Sequence, residues 1–380
     1  MFVELHMIQN FVPSNLNRDD AGNPKECEFG GYRRARISSQ CLKRAIRMEP
    51  LFEKTVNAPH GLGDRTKLLA NELIKPALVQ AGKQKDEALG IASRFVKAYA
   101  QSIEKDGVTT SILVYISPEE VEEVVQSLLD QWDTVLPDTK DADKALSDLA
   151  KRLLKKYEKI TSAPDIALFG RMLAIRPSAK VLDAACQVAH AISTHAVSME
   201  MDFFTAVDHI SQKSGAGMMG YIGFNSACFY RYARIDWKQL VDNLNGDTNL
   251  ARCTVEGFMR AAVAAVPSGM KNSFGQFNPP SFQLAVVRED GMGWSLANAF
   301  VKPISPTHNT DLVTASAQSL DRYWKRLCEV YGDTTLKRVA ALSITEPPIQ
   351  LDALAPHAVD SQKDWFAAVV DALPDGKEVV

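Results

Sequence analysis

Apolar positions along this chain fall into a few recognisable patterns, and each predicts an element. Phe2 to Phe11 carries Val3, Leu5, Met7 and Phe11 and predicts a buried strand. Pro13, Asn15, Asn17, Gly22 and Pro24 then enforce an irregular loop, which also holds Arg18, Asp19, Asp20, Lys25, Glu26 and Glu28. A first helix is expected from near Ser38 to no later than Glu49, because Pro50 disfavours helix in the residue before it. Residues 51 to about 160 read as mostly helical. Arg65 to Gln80 and Asp86 to Glu104 are helical by composition, Ser111 to Ile116 is a short β-branched run, and Pro118 opens a further helix. From Asp141 to Ile160 a helix sets Leu146, Leu149, Leu153, Tyr157 and Ile160 on one arc.

The second half alternates more. Between Pro164 and Pro177, eight apolar residues from Ile166 to Ile175 crowd around Gly170-Arg171. A hairpin that short cannot bury them on itself, so it either packs into the core or projects into a partner. Leu182 to Thr194 fits helix or strand, and periodicity leaves both open. Met201 to His209 reads as a short helix, Phe224 to Ile235 and Phe282 to Arg288 as strands, and Asn249 to Val266 as a helix ended by Pro267. A helix over Asp311 to Tyr331, a strand near Val339 to Ile344 and a last helix after Ser361 complete the chain. The coarse order is β-α-β-β-α-β with a large insertion after the first helix, an α+β, ferredoxin-like arrangement.

Charge changes this picture at one place. From Arg33 to Arg47 the chain carries six cations (Arg33, Arg34, Arg36, Lys43, Arg44, Arg47) and no acid, against a formal net charge of −3. Gln40, Lys43, Arg44 and Arg47 recur at spacings of three and four, so they share a helix face opposite Leu42, Ala45 and Ile46. With Ser38, Ser39 and Gln40 at its start, that face suits a phosphate backbone. A solvated face is the plainer alternative. The helix over 141–160 has its own stripe, Lys140, Lys144, Lys151, Lys155 and Lys159, which usually marks only a solvated face.

Composition excludes several classes. With 46% apolar and 23% charged residues the chain is an ordinary globular sequence. No apolar run approaches a membrane span, and the start MFVELHMIQNF lacks a signal-peptide pattern, so a cytoplasmic protein is expected. The six scattered cysteines form no Cys-x-x-Cys pair, which argues for reduced thiols rather than a zinc site. Gly215-Ala216-Gly217-Met218-Met219-Gly220 matches G-x-G-x-x-G, but a helix is expected before it and a strand after. A dinucleotide site needs the reverse order.

The segments IQNFVPSNLNRDD, FGGYRRARISSQCLKRAIR, PDIALFGRM, VAHAISTH, DFFTAVD and FYRYARID, in this order, resemble the backbone subunit (CasC family) of Cascade, the type I-E CRISPR interference complex. The resemblance implies an RRM-like palm (residues 1–50 and 178–380), a helical fingers insertion (51–160) and a protruding thumb hairpin (161–177). It implies copies stacked along CRISPR guide RNA in a helical filament with other Cascade subunits. The spacer is then presented to target DNA while a separate helicase-nuclease cuts. Carried onto this sequence, the guide-binding residues are Arg18, Lys25, Ser38, Gln40, Lys43 and Arg47. Met172 in the GRM segment is the base-displacing thumb residue, Phe204 the aromatic of the DWF-type segment with Phe203 in place of its tryptophan, and Met219 another apolar contact. Lys144, Lys151 and Lys155 are candidates for guiding DNA.

Two alternatives stand beside this. Related type III backbone subunits cut RNA with a palm-loop aspartate, so Asp19 and Asp20 could hold a hydrated magnesium ion. Turn hydrogen bonds or a pairing with Arg18 are the plainer role for them, and no general base is placed to help. His6 lies on the opening strand and His190 and His195 read as core or sheet residues. Cys186 and His190 would face together on a helix, but two ligands do not make a metal site. The expectation is therefore a non-enzyme without cofactor or metal. The other alternative is an RNA-binding module that does not polymerise.

Overall fold

Strand β1 (Phe2–Ser14) is buried from Val3 through Gln9, on both of its faces, because it lies inside a sheet. The structure is a computed structural model and describes residues 1–173, 180–206 and 218–375. After β1 come β2 (Glu26–Phe29) and β3 (Tyr32–Ile37), an antiparallel hairpin absent from the sequence reading. Gly30 and Gly31 both have positive φ, as a two-residue hairpin turn demands. Helix α1 (Ser39–Arg47) follows directly, capped by Ser38, whose hydroxyl accepts from the Cys41 amide. Helix α2 (Pro50–Val56) leads into the insertion.

The insertion begins with strand β4 (Asp64–Thr66), where helix was expected, and a π-helical turn over Leu69–Ile74. Helices α3 (Lys75–Gln80) and α4 (Lys85–Ala100), strand β5 (Val114–Ile116) and helix α5 (Pro118–Asp130) come next. Pro118 sits in the first turn of α5 behind the Ser117 cap. Helix α6 (Trp132–Val135) precedes α7 (Lys140–Lys156), capped by Thr139, which buries Leu146, Leu149 and Leu153 in the core of these helices.

The apolar stretch that follows is not one hairpin. Pro164 to Phe169 forms helix α8, and Ile166, Ala167 and Leu168 are fully buried there. Only after Gly170 does the chain pair as β6 (Arg171–Leu173) with β7 (Lys180–Leu182). Ala174 to Pro177 lie outside the described residues. The undecided segment resolves into strands β8 (Cys186–Val188) and β9 (Ala191–Ser193). The helix expected from Met201 is instead strand β10 (Glu200–Ala206), with 207–209 outside the described residues. Its exposed residues on both faces gave the sequence no alternation to read. Strand β11 (Met218–Asp236) pairs with β10 and takes in the end of the glycine-rich motif; residues 207–217 are outside the described residues.

Helices α9 (Trp237–Asn243), α10 (Thr248–Ala264) and α11 (Lys271–Phe274) lead to β12 (Phe282–Arg288), buried at every position. Helix α12 (Leu312–Tyr331) is capped by Asp311, β13 (Leu336–Ser343) pairs with β12, and α13 (Gln362–Val370) is capped by Ser361.

The fold is thus α+β, with a large sheet ordered β13-β12-β1-β11-β9-β3-β2, and β8 and β10 also on β11. Its middle strands β12, β1, β11 and β9, with α1 and α10 between them in sequence, follow the β-α-β-β-α-β order. The chain divides into two compact units. The first holds the sheet (1–52, 187–235, 255–374), and the second is mainly helical (53–186, 236–254 and from 375).

Candidate nucleic-acid interface

The basic segment folds as a loop, a hairpin and a helix sewn together by side-chain and main-chain hydrogen bonds. Asn15 Nδ2 donates to the carbonyls of Gly22 and Gly223. The Lys25 amide donates to the Asn17 carbonyl, and the Arg36 amide to the Lys25 carbonyl. Asn17 Oδ1 accepts from the Ser38 amide at 2.9 Å. Lys25, Arg36 and the start of α1 are therefore held in one place by the backbone, not by their own flexible side chains. Leu42 and Ile46 bury the inner face of α1, leaving Gln40 and Arg44 exposed and Lys43 and Arg47 half-buried. The helix has no acid in its first turn.

Within the patch the six cations separate into different roles. Arg34 is fully buried, and its guanidinium donates to the carbonyls of Ser193, Phe300 and Val301. It belongs to the sheet, not to an exposed cationic face. Arg33 pairs with Glu26 at 2.7 Å. Arg36 Nη1 lies 3.2 Å from His190 Nδ1, and the Ser39 amide donates to the same nitrogen at 3.3 Å. His190, expected in the core or the sheet, is instead exposed in the turn between β8 and β9. Burial, then the charges of Arg36 and Lys25, hold its pKa below the ordinary imidazole value. His195 fits the expected role better. It is half-buried, with Nδ1 at the Ala196 carbonyl and Nε2 accepting from the Cys228 amide.

Arg18 is exposed on the loop, and Ser38 is buried with its hydroxyl engaged as the helix cap. Asp19 Oδ1 accepts from the amides of Ala21 and Asn23, a local turn of the kind its residue type favours, while Asp20 is exposed. Among the described residues no group of three or more His, Cys, Asp or Glu is arranged to hold a metal ion.

Phe204 and Met219, both candidate base-displacing residues, lie on different faces of the β10–β11 ribbon. Phe204 stands opposite Gly220, where a Cβ would come within 2.8 Å of its ring, and is half-buried. Met219 stands opposite Thr205, which puts it on the face of Phe203 and Tyr221. Those two rings are 5.2 Å apart, and Met201, Phe203, Met219 and Tyr221 are all exposed. Tyr221 was missed because a lone tyrosine in a strand carries no signal of its own.

In the helical unit, Met172 is 69% exposed on β6, opposite Val181. Its neighbour Arg171 is buried and pairs with Glu120 at 2.6 Å, while also donating to the Tyr157 carbonyl. Burial pushes the Glu120 carboxyl upward, with Arg171 opposing. Gly170 has φ of 76°, and a Cβ there would meet the Leu182 carbonyl at 2.9 Å. The GRM segment is thus a glycine turn, a buried anchor and an outward methionine. Lys144, Lys151 and Lys155 are exposed on α7, with Lys151 3.4 Å from Asp148.

Comparison with solved structures gives this arrangement a class. Over 98% of its length the chain aligns, at 31% identity and a TM-score of 0.83, with the whole of a chain described as "CRISPR RNA-guided surveillance complex, pre-nicking". A second match, "CRISPR RNA-guided surveillance complex", has 27% identity, a TM-score of 0.75 and the same coverage. A comparison with curated proteins found no match. The fold is that of a Cascade-type CRISPR protein. The chain belongs to the CT1975-like protein family, whose profile matches residues 3–353. Among the described residues no helix is long and apolar enough to cross a membrane.

Proposed function

We propose that this chain is the guide-RNA-binding backbone subunit of a type I-E Cascade complex. The observation that carries the proposal is the basic face of α1, a helix with no acid in its own sequence, held against Lys25 and Arg36 by the Asn17 and Ser38 bonds. Lysine and arginine there grip phosphates without reading bases, which leaves the spacer free to pair. In this reading the sheet unit is an RRM-like palm, the helical unit supplies the fingers, and Met172 projects from a thumb. Copies of the chain stack along the guide with other Cascade subunits, Met172 and the apolar face of the β10–β11 ribbon sit against displaced bases, and a separate helicase-nuclease cuts the target DNA. Lys144, Lys151 and Lys155 guide that DNA.

Sizing the purified chain with RNAs of increasing length tests this. Oligomers that grow with RNA length are expected, and a fixed one-to-one complex would favour a non-polymerising module. The chain is also proposed to lack nuclease activity, with Asp19 serving the turn. Magnesium-dependent RNA cleavage that disappears in Asp19→Ala Asp20→Ala would overturn that part.

A further inference from the structure

Two donors converge on one nitrogen of His190, and that fixes what its other nitrogen can do. Arg36 Nη1, at 3.2 Å from Nδ1, and the Ser39 main-chain amide, at 3.3 Å, can only donate. Nδ1 must therefore be the lone-pair nitrogen, and the neutral ring carries its proton on Nε2. Partial burial, and then the positive charges of Arg36 and Lys25, also disfavour a second proton on the ring. His190 is exposed, and it sits where β3, the β8–β9 turn and the start of α1 meet. The residue is thus a neutral donor of fixed tautomer set among cations, a different device from the lysines around it.

We propose that His190 Nε2–H donates a hydrogen bond to an acceptor oxygen of the sugar-phosphate backbone, making His190 a further guide-RNA-binding residue oriented by Arg36. This rests on the guide-RNA reading above. A cation releases a counterion when it meets a phosphate, whereas a neutral donor does not. The contribution of His190 is therefore one hydrogen bond of affinity with no effect on the salt dependence. It also gives Arg36 a positioning role, since the guanidinium holds the ring through Nδ1 rather than reaching for the RNA itself.

The test uses the full chain and a labelled guide-length RNA, with affinities measured across a salt series for two variants. Glutamine can present an amide donor near the Nε2 position, and asparagine can supply an acceptor near the Nδ1 position without reaching outward. His190→Asn is expected to lose about five- to tenfold in affinity, the scale of one neutral hydrogen bond, with an unchanged salt slope. His190→Gln is expected to stay within about twofold of wild type. Melting temperatures of both variants accompany the titrations. Repeating the titration with DNA of the same sequence sorts the acceptor: an equal loss points to phosphate, and a loss confined to RNA points to the ribose hydroxyl. Wild-type affinity in both variants would overturn the proposal, as would retention in His190→Asn alone, which would mean that the ring only caps Ser39. Failure of the wild-type chain to bind RNA would strike the guide-RNA reading itself.

Discussion

Helices α1 and α7 are both striped with cations, yet their surroundings differ in kind. On α7 the acids are interleaved. Asp141 and Asp143 occupy the first turn, Lys151 lies beside Asp148, Lys156 pairs with Glu123, and Asp143 takes Arg94 at 2.8 Å. On α1 there is no acid in the first turn, and loop and hairpin backbone bring Lys25 and Arg36 to its start. Counting lysines and arginines does not separate the two helices; asking where acids stand within each helix does. Partly neutralised cations on an exposed helix can steer a polyanion at long range but hold it weakly. A helix whose own sequence carries cations and no acid adds to a positive field that a polyanion can answer.

The largest effect that sharpens this comparison concerns a pair that is not on the surface at all. Removing Glu120 leaves Arg171 buried without its partner, so Glu120→Ala should destabilise by roughly 3–5 kcal/mol, read as a lower urea midpoint. Breaking surface pairs in the same unit should do almost nothing. Reversal of the α7 stripe comes next. Lys144→Glu with Lys151→Glu and Lys155→Glu should slow target-DNA capture severalfold at low salt while changing guide-RNA affinity by less than about threefold. Unchanged capture would leave that stripe as a solvated face, and a collapse of guide affinity would break the contrast with α1. Met172→Ala should leave guide affinity within about twofold while disturbing target pairing or subunit stacking, because one exposed apolar side chain adds little to a charge-dominated contact. The smallest effect belongs to Lys156→Ala, where an exposed ion pair is worth about 0.5 kcal/mol of stability or less.

Much of this architecture was legible where pattern and punctuation agree. Phe282–Arg288 is a strand residue for residue, and helices stand where they were expected, over 311–331 and after Ser361, with Asp311 and Ser361 as their caps. Two other features failed for opposite reasons. The β2–β3 hairpin was overlooked although Gly30-Gly31 announces a two-residue turn, because the flanking strands are charged rather than alternating. The β10 strand carries no periodic signal, since it is exposed on both faces, and tertiary pairing with β11 decides its conformation. At the candidate site the helix face was readable from spacing alone. What could not be read is which cations the fold consumes. Arg34 and Arg36 look alike in sequence, yet Arg34 is spent on the carbonyls of Ser193, Phe300 and Val301 while Arg36 lies against His190. Positions 34 and 36 share one face of β3, so alternation does not separate them; the neighbours along that face do, Ser193 and the Phe300–Val301 segment for Arg34 and the β8–β9 turn for Arg36.

The central claim, that α1 grips backbone rather than bases, is most directly tested by salt titrations of RNA binding. The wild-type chain would be compared with the Lys43→Ala Arg47→Ala variant on several unrelated RNAs of equal length. The account predicts equal wild-type affinities across sequences. In the variant it predicts a loss of roughly tenfold to a hundredfold for every RNA, with a salt slope smaller by about 1.4, two phosphate contacts on a single strand. Sequence-dependent wild-type affinity, or a variant that binds with the wild-type slope, would contradict it.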